Sequence, residues 1–127
     1  MPEAAFQGEI GFRVTAVAED ATTGEMEISK GVLNPFGTVH AGALIWFADV
    51  CATRHVFGDG EIEPGAASFP VAVTLNAQLL SNRSEGVLTA TARWVKKGRR
   101  VSTVRTIVTG PDGRELLDLT STHVTAR

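Results

Sequence analysis

Between Asn34 and Asp49 the chain reads NPFGTVHAGALIWFAD, which gathers an amide at Asn34, an imidazole at His40 and an acid at Asp49 around the small residues Gly37, Ala41 and Gly42. From Ala41 the sequence AGALIWFADVCATRHVF runs to Gly58 in an apolar, helix-compatible pattern, with Arg54 and His55 in the last turns, where positive charge suits the dipole. The N–H groups of Ala41 and Gly42 then fall in the first helical turn, where intrahelical acceptors are missing, a position suited to holding an oxyanion. Asp49 lies among Ile45, Trp46, Phe47, Ala48 and Val50. A carboxylate there is poorly solvated and needs either a structural partner or work as a base or nucleophile. A rise of about 1.5 Å per residue puts Ala41 and Asp49 roughly 12 Å apart along one helix. Groups acting on one carbonyl must meet within about 3 Å, so a shared reaction requires the acid to come from an antiparallel helix of a second subunit.

The elements that must position these groups are legible on either side. Ile10 to Ala18 alternates with Ile10, Phe12, Val14, Ala16 and Ala18 on one face, a half-buried strand. A turn over Asp20 to Gly24 leads to a second strand carrying Met26 and Ile28. The helix has no broad polar face, which predicts burial around most of its circumference. A glycine- and proline-bearing connection spans Gly58 to Pro70. Four strands follow, Val71 to Leu80, Val87 to Val95, Val101 to Thr109 and Arg114 to Thr125, separated by SNRSEG, KKGRR and PDG turns. This order predicts an α+β fold with a single antiparallel sheet wrapped around one long helix, and a dimer that covers the edges left bare.

Composition narrows the function. The 127 residues suit one domain over 1–127, and a formal net charge of −2 gives no bulk attraction to nucleic acid. No P-loop, dinucleotide fingerprint or paired-cysteine site appears, so neither a metal nor a redox cofactor is expected. The lone Cys51 is read as core, His55 and His123 as structural, and Trp46 and Phe47 as packing residues able to line a pocket. The start of the chain has neither a basic region nor an apolar stretch, and no run approaches the ~20 residues of a membrane span. A cytoplasmic protein without membrane or nucleic-acid partners is the expectation.

The pattern N-x-x-G-T-x-H-x-G, with an acid nine residues after the histidine, resembles the PaaI-type acyl-CoA thioesterases of the hotdog-fold superfamily. The order of elements from Gly31 to the C-terminus is also similar. The resemblance implies a hotdog fold, an acyl-CoA substrate, and a homodimer or dimer of dimers. It implies that Asp49 activates water or attacks the thioester, that the Ala41 N–H polarises its carbonyl, that His40 and Asn34 orient thioester or water, and that Gly42 permits close approach. Two positions depart from the family pattern. Ala41 stands where a second glycine is usual, and Ala72 where several relatives carry a hydroxyl. By two-residue periodicity Thr74 or Asn76 would share Ala72's face and supply the missing group. Coenzyme A is rich in phosphate, so Lys96, Lys97, Arg99 and Arg100 in the basic turn, and Arg83 in SNRS, are candidate contacts for its nucleotide end. The rival readings are an acyl-CoA binding module without turnover and a hotdog enoyl-thioester hydratase or dehydratase.

Overall fold

The computed structural model describes residues 5–61 and 69–125. Strands β1 (Arg13–Val17) and β2 (Thr22–Glu27) form a hairpin, and a 3-10 turn over Lys30–Val32 leads to the helix α1 (Ala41–Phe57). Four strands complete the chain: β3 (Pro70–Leu79), β4 (Val87–Lys96), β5 (Val101–Thr109) and β6 (Glu115–Thr125). They make one antiparallel sheet in the order β1-β2-β4-β5-β6-β3. The sheet wraps the helix as the sequence predicts, and α1 ends on Gly58, whose positive φ terminates it. The middle of the Gly58 to Pro70 connection, residues 62–68, lies outside the described residues.

The helix is buried along a stripe rather than around most of its circumference. Leu44, Phe47, Ala48, Cys51, Ala52 and His55 recur at helical spacing against the sheet, where they meet Met26, Leu88, Val104, Val108 and Leu119. Burying Leu44 and Phe47 alone contributes about 1.5–3 kcal/mol each. The opposite face keeps Gly42 and Trp46 open to solvent, with Asp49, Val50 and Thr53 half-buried beside them. The sheet covers one side of a helix that is apolar on two.

Bulges correct two face assignments. Register shifts between Val14 and Ala16 on β1, so Ala16 is exposed and Val17 turns toward the helix side. A second shift separates Ala72 from Thr74 on β3. Ala72 pairs with the buried His123, whereas Thr74 pairs with Thr122 and Asn76 with Thr120. Directly paired residues share a face, so Thr74 and Asn76 lie on the outer face of the sheet, away from α1. The DATTG turn is also shorter than expected, because Thr22, Thr23 and Gly24 already belong to β2.

Candidate active site

The approach to α1 is a self-bonded loop. The Asn34 N–H donates to the Thr38 carbonyl at 2.7 Å, and Leu33 bridges Val39. The Asn34 side chain accepts from the Phe36 and Thr38 N–H groups at 2.9 and 3.2 Å and donates to Thr38 Oγ1 at 2.9 Å. Gly37, at φ +85, lets the chain reverse inside that loop. The amide of Asn34 is therefore spent on turn geometry, the ordinary work of an asparagine before proline. It still lines the cleft beside His40.

His40 is the N-cap residue, in extended conformation, and its Nδ1 accepts the Gly42 N–H at 2.9 Å. Acceptance at Nδ1 leaves the ring proton of the neutral imidazole on Nε2, so the exposed tip is a donor. A Cβ on Gly42 would stand 3.2 Å from His40 Nδ1, so the glycine lets the ring fold back over the helix start. The cap also corrects the expectation of two free amides. Gly42's N–H is taken, while that of Ala41 has no acceptor among the described residues. Ala41 adopts the first helical position, so its methyl costs nothing in backbone strain there. Around this entrance lies an open cleft of about 720 Å³ whose walls include Ile10, Leu33, Ala43 and Trp46. Trp46 stands edge-on to Phe12, ring centres 5.1 Å apart.

Asp49 lies two turns further along, half-buried, on the wall of a second open cleft of about 720 Å³ with Val14, Val50, Thr53, Val71 and Ala72. It is not enclosed in its own core. Thr53 Oγ1 donates toward Asp49 Oδ1 at 3.5 Å, a long contact that biases the carboxylate's orientation. Thr53 was not among the residues expected at the site, although a hydroxyl four positions after the acid shares its helical face and the spacing carried that signal. Behind Ala72, His123 is fully buried with its Nε2 2.8 Å from Ser121 Oγ. Burial holds its pKa below the ordinary histidine value, while the negative charge of Asp49 pulls the other way.

Among the described residues the two clefts share no lining residue: His40, Gly42 and Asn34 line one, and Asp49, Thr53 and Ala72 line the other. The basic candidates are also divided. Arg83 sits near the helix entrance, pairing with Asp112 at 3.3 Å. Lys96, Lys97, Arg99 and Arg100 are exposed at the opposite end, where Lys97 lies over Trp94, which packs on His55. Cys51 is buried and its thiol is pushed up to about 12 by desolvation, as its reading as core requires. No helix among the described residues is long and apolar enough to cross a membrane.

Comparisons with known proteins agree with this architecture. The family model described as thioesterase superfamily matches residues 36–117, which include His40, Ala41, Gly42 and Asp49. The chain is 28% identical over 93 residues to a 1,4-dihydroxy-2-naphthoyl-CoA hydrolase of Listeria monocytogenes, covering 73% of this chain and 72% of that one. Among solved structures it superimposes on a thioesterase from Haemophilus influenzae with TM-score 0.83 at 19% identity, over 93% of this chain and 80% of that one. A hypothetical thioesterase of Streptococcus pneumoniae solved with coenzyme A gives TM-score 0.79 at 18% identity, over 91% and 86% of the two chains. The fold is therefore the hotdog fold.

Proposed function

This chain belongs to the thioesterase superfamily, and on that premise we propose that it is an acyl-CoA thioesterase that hydrolyses its thioester at a site assembled from two protomers. The observation that carries the reading is the separation of the two half-sites. His40 and Gly42, on either side of the free Ala41 amide, line one cleft, Asp49 and Thr53 line another, and among the described residues these two clefts have no wall in common. An antiparallel second copy supported on α1 brings the Asp49 cleft of one protomer against the helix entrance of its partner.

The surfaces such a pairing would cover are apolar. Trp46 on the open helix face is 49% exposed, and Val71, Val73 and Leu75 on the edge strand β3 are 48–57% exposed. In this arrangement the Ala41 N–H, at the positive end of α1, receives the thioester oxygen as it becomes an oxyanion. The His40 Nε2–H is a second donor facing the same cleft. Asp49, oriented by Thr53, either takes a proton from the attacking water or attacks the carbonyl to give a mixed anhydride that water then opens. In both routes coenzyme A leaves as the thiol. Arg83 and the Lys96 to Arg100 turn are proposed as alternative contacts for the CoA phosphates.

Thiol release from short, medium, long and aromatic acyl-CoA esters tests the activity. Asp49→Asn should lower kcat by about two to four orders of magnitude while the fold and CoA binding persist. Binding of acyl-CoA without thiol release by the unmodified protein would favour a binding module, and water addition to an enoyl-CoA would favour a hydratase. Parental turnover in Asp49→Asn would reduce the acid to a structural role.

A further inference from the structure

We infer that Asn82, in the SNRSEG turn, is a positioning residue that fixes the catalytic helix entrance to the sheet. The inference rests on the proposed role of the Ala41 amide. Residues 80–83 follow β3 and are docked on the start of β6, through Leu80 N–H to the Leu116 carbonyl at 2.8 Å and Ser81 Oγ to the Glu115 carbonyl at 2.6 Å. From that platform the Asn82 side chain reaches the backbone of Val39, the residue just before the N-cap. Its Oδ1 accepts the Val39 N–H at 3.1 Å and its Nδ2 donates to the Val39 carbonyl at 2.8 Å. The same Oδ1 accepts the Arg83 N–H at 2.8 Å, and the Arg83 carbonyl accepts the Val39 N–H at 3.2 Å.

One primary amide thus imitates a strand partner for a single residue. Val39 is fully buried, so its two polar groups need partners, and unpaired they would each cost about 1–3 kcal/mol. The loop from Leu33 to Thr38 satisfies itself and His40 N–H bonds to the Val32 carbonyl in the same segment. Beside the burial of Val32 and Val39 in the core, the hydrogen bonds of Asn82 and Arg83 to Val39 tie that segment to the sheet. Ala41 is two residues beyond it, and an oxyanion donor displaced by about 1 Å loses on the order of a hundredfold in rate. Aspartate has the right size but lacks the donor, and glutamine has both groups on too long an arm.

The test compares wild type with Asn82→Asp and Asn82→Gln. Both should lower kcat about tenfold or more with KM within about threefold, and amide exchange at Ala41 to Leu44 should quicken while β4 and β5 amides keep their protection. The kcat ratio of Asn82→Asp to wild type should rise as pH falls from about 7 to 5, because a protonated carboxyl regains a donor for the Val39 carbonyl. Asn82→Gln should show no such recovery, and it carries the test if the acid variant does not fold. Variants with kcat within about twofold of wild type, or with a loss that merely tracks the unfolded fraction, overturn the inference. If wild type releases thiol from no acyl-CoA, the hydrolase reading falls instead, and exchange at the helix entrance still decides what Asn82 does.

Discussion

His40 Nδ1 accepts the Gly42 N–H at 2.9 Å, and this one bond divides the start of α1 into an occupied amide and a free one at Ala41. The imidazole therefore caps through Nδ1 and, in the proposed mechanism, donates through Nε2. His40→Asn keeps an excellent N-cap but leaves no donor at the reach of Nε2, so stability should hold while kcat/KM falls about tenfold or more. His40→Ala should lose both, with about 1 kcal/mol of stability as well. Urea unfolding beside thiol-release kinetics checks the pair. Full activity in His40→Asn would leave the histidine as a cap alone.

A site divided between protomers predicts complementation. Ala41 is the first helical residue, a position that tolerates proline, and His40 before it already has φ −64 and ψ 136, which a following proline requires. Ala41→Pro removes the N–H without forbidding the helix. Ala41→Pro and Asp49→Asn should each be nearly inactive. Mixed and allowed to exchange subunits, they should regain up to about a quarter of wild-type turnover, since half the dimers are mixed and each carries one intact site. A mixture no more active than its components would place both groups in one chain.

Much of the fold is legible in the sequence. The helix bounds and its Gly58 cap follow from the AGALIWFADVCATRHVF run, and β5 from its Val, Thr and Ile pattern between two turns. The bulge between Ala72 and Thr74 could not be read, because it answers to pairing with β6 and has no local signal. It removes Thr74 and Asn76 from the inner face, and among the described residues the side-chain hydroxyl that reaches Asp49 is on the helix, at Thr53. Asn82 was equally hidden. An asparagine in SNRS looks like any turn residue until the chain brings Val39 to it.

Two buried histidines give stability a pH dependence. His55 is lowered below its ordinary 6.5 by burial, with Asp20 opposing and Lys97 and Arg93 assisting, and His123 is lowered by burial with Asp49 opposing. The unfolded chain then binds protons that the folded chain refuses. Their contribution is fully present above the unfolded value of 6.5 and is lost as pH falls from there toward the lower folded values. Asp118, held down by its hydrogen bond from Arg105, acts in a separate window, losing its contribution only as pH falls below about 3.8. Urea unfolding should show stability level above about pH 7.5 and declining between about pH 6.5 and 5. His55→Gln or His123→Gln should each flatten that decline, and a level wild-type profile there would mean that both rings are accessible to protons in the fold.

The contact between β2 and α1 is close enough to be tested by a single methyl group. A Cβ on Gly24 would fall 2.6 Å from Cys51 Sγ, 3.0 Å from the Arg13 carbonyl and 3.1 Å from Phe47 Cε1. Gly24→Ala should therefore cost about 1–3 kcal/mol through overpacking. Cys51→Ala removes the nearest of the three obstacles, so the double variant should be more stable than the sum of the single losses predicts, with part of the penalty left by Arg13 and Phe47. The same packing keeps the thiol at about 12 and away from solvent, so a disulfide reagent should label Cys51 only as the protein unfolds and should leave turnover unchanged before then. A Gly24→Ala protein as stable as wild type, or prompt labelling of the native thiol, would show that β2 stands further from the helix than these distances give.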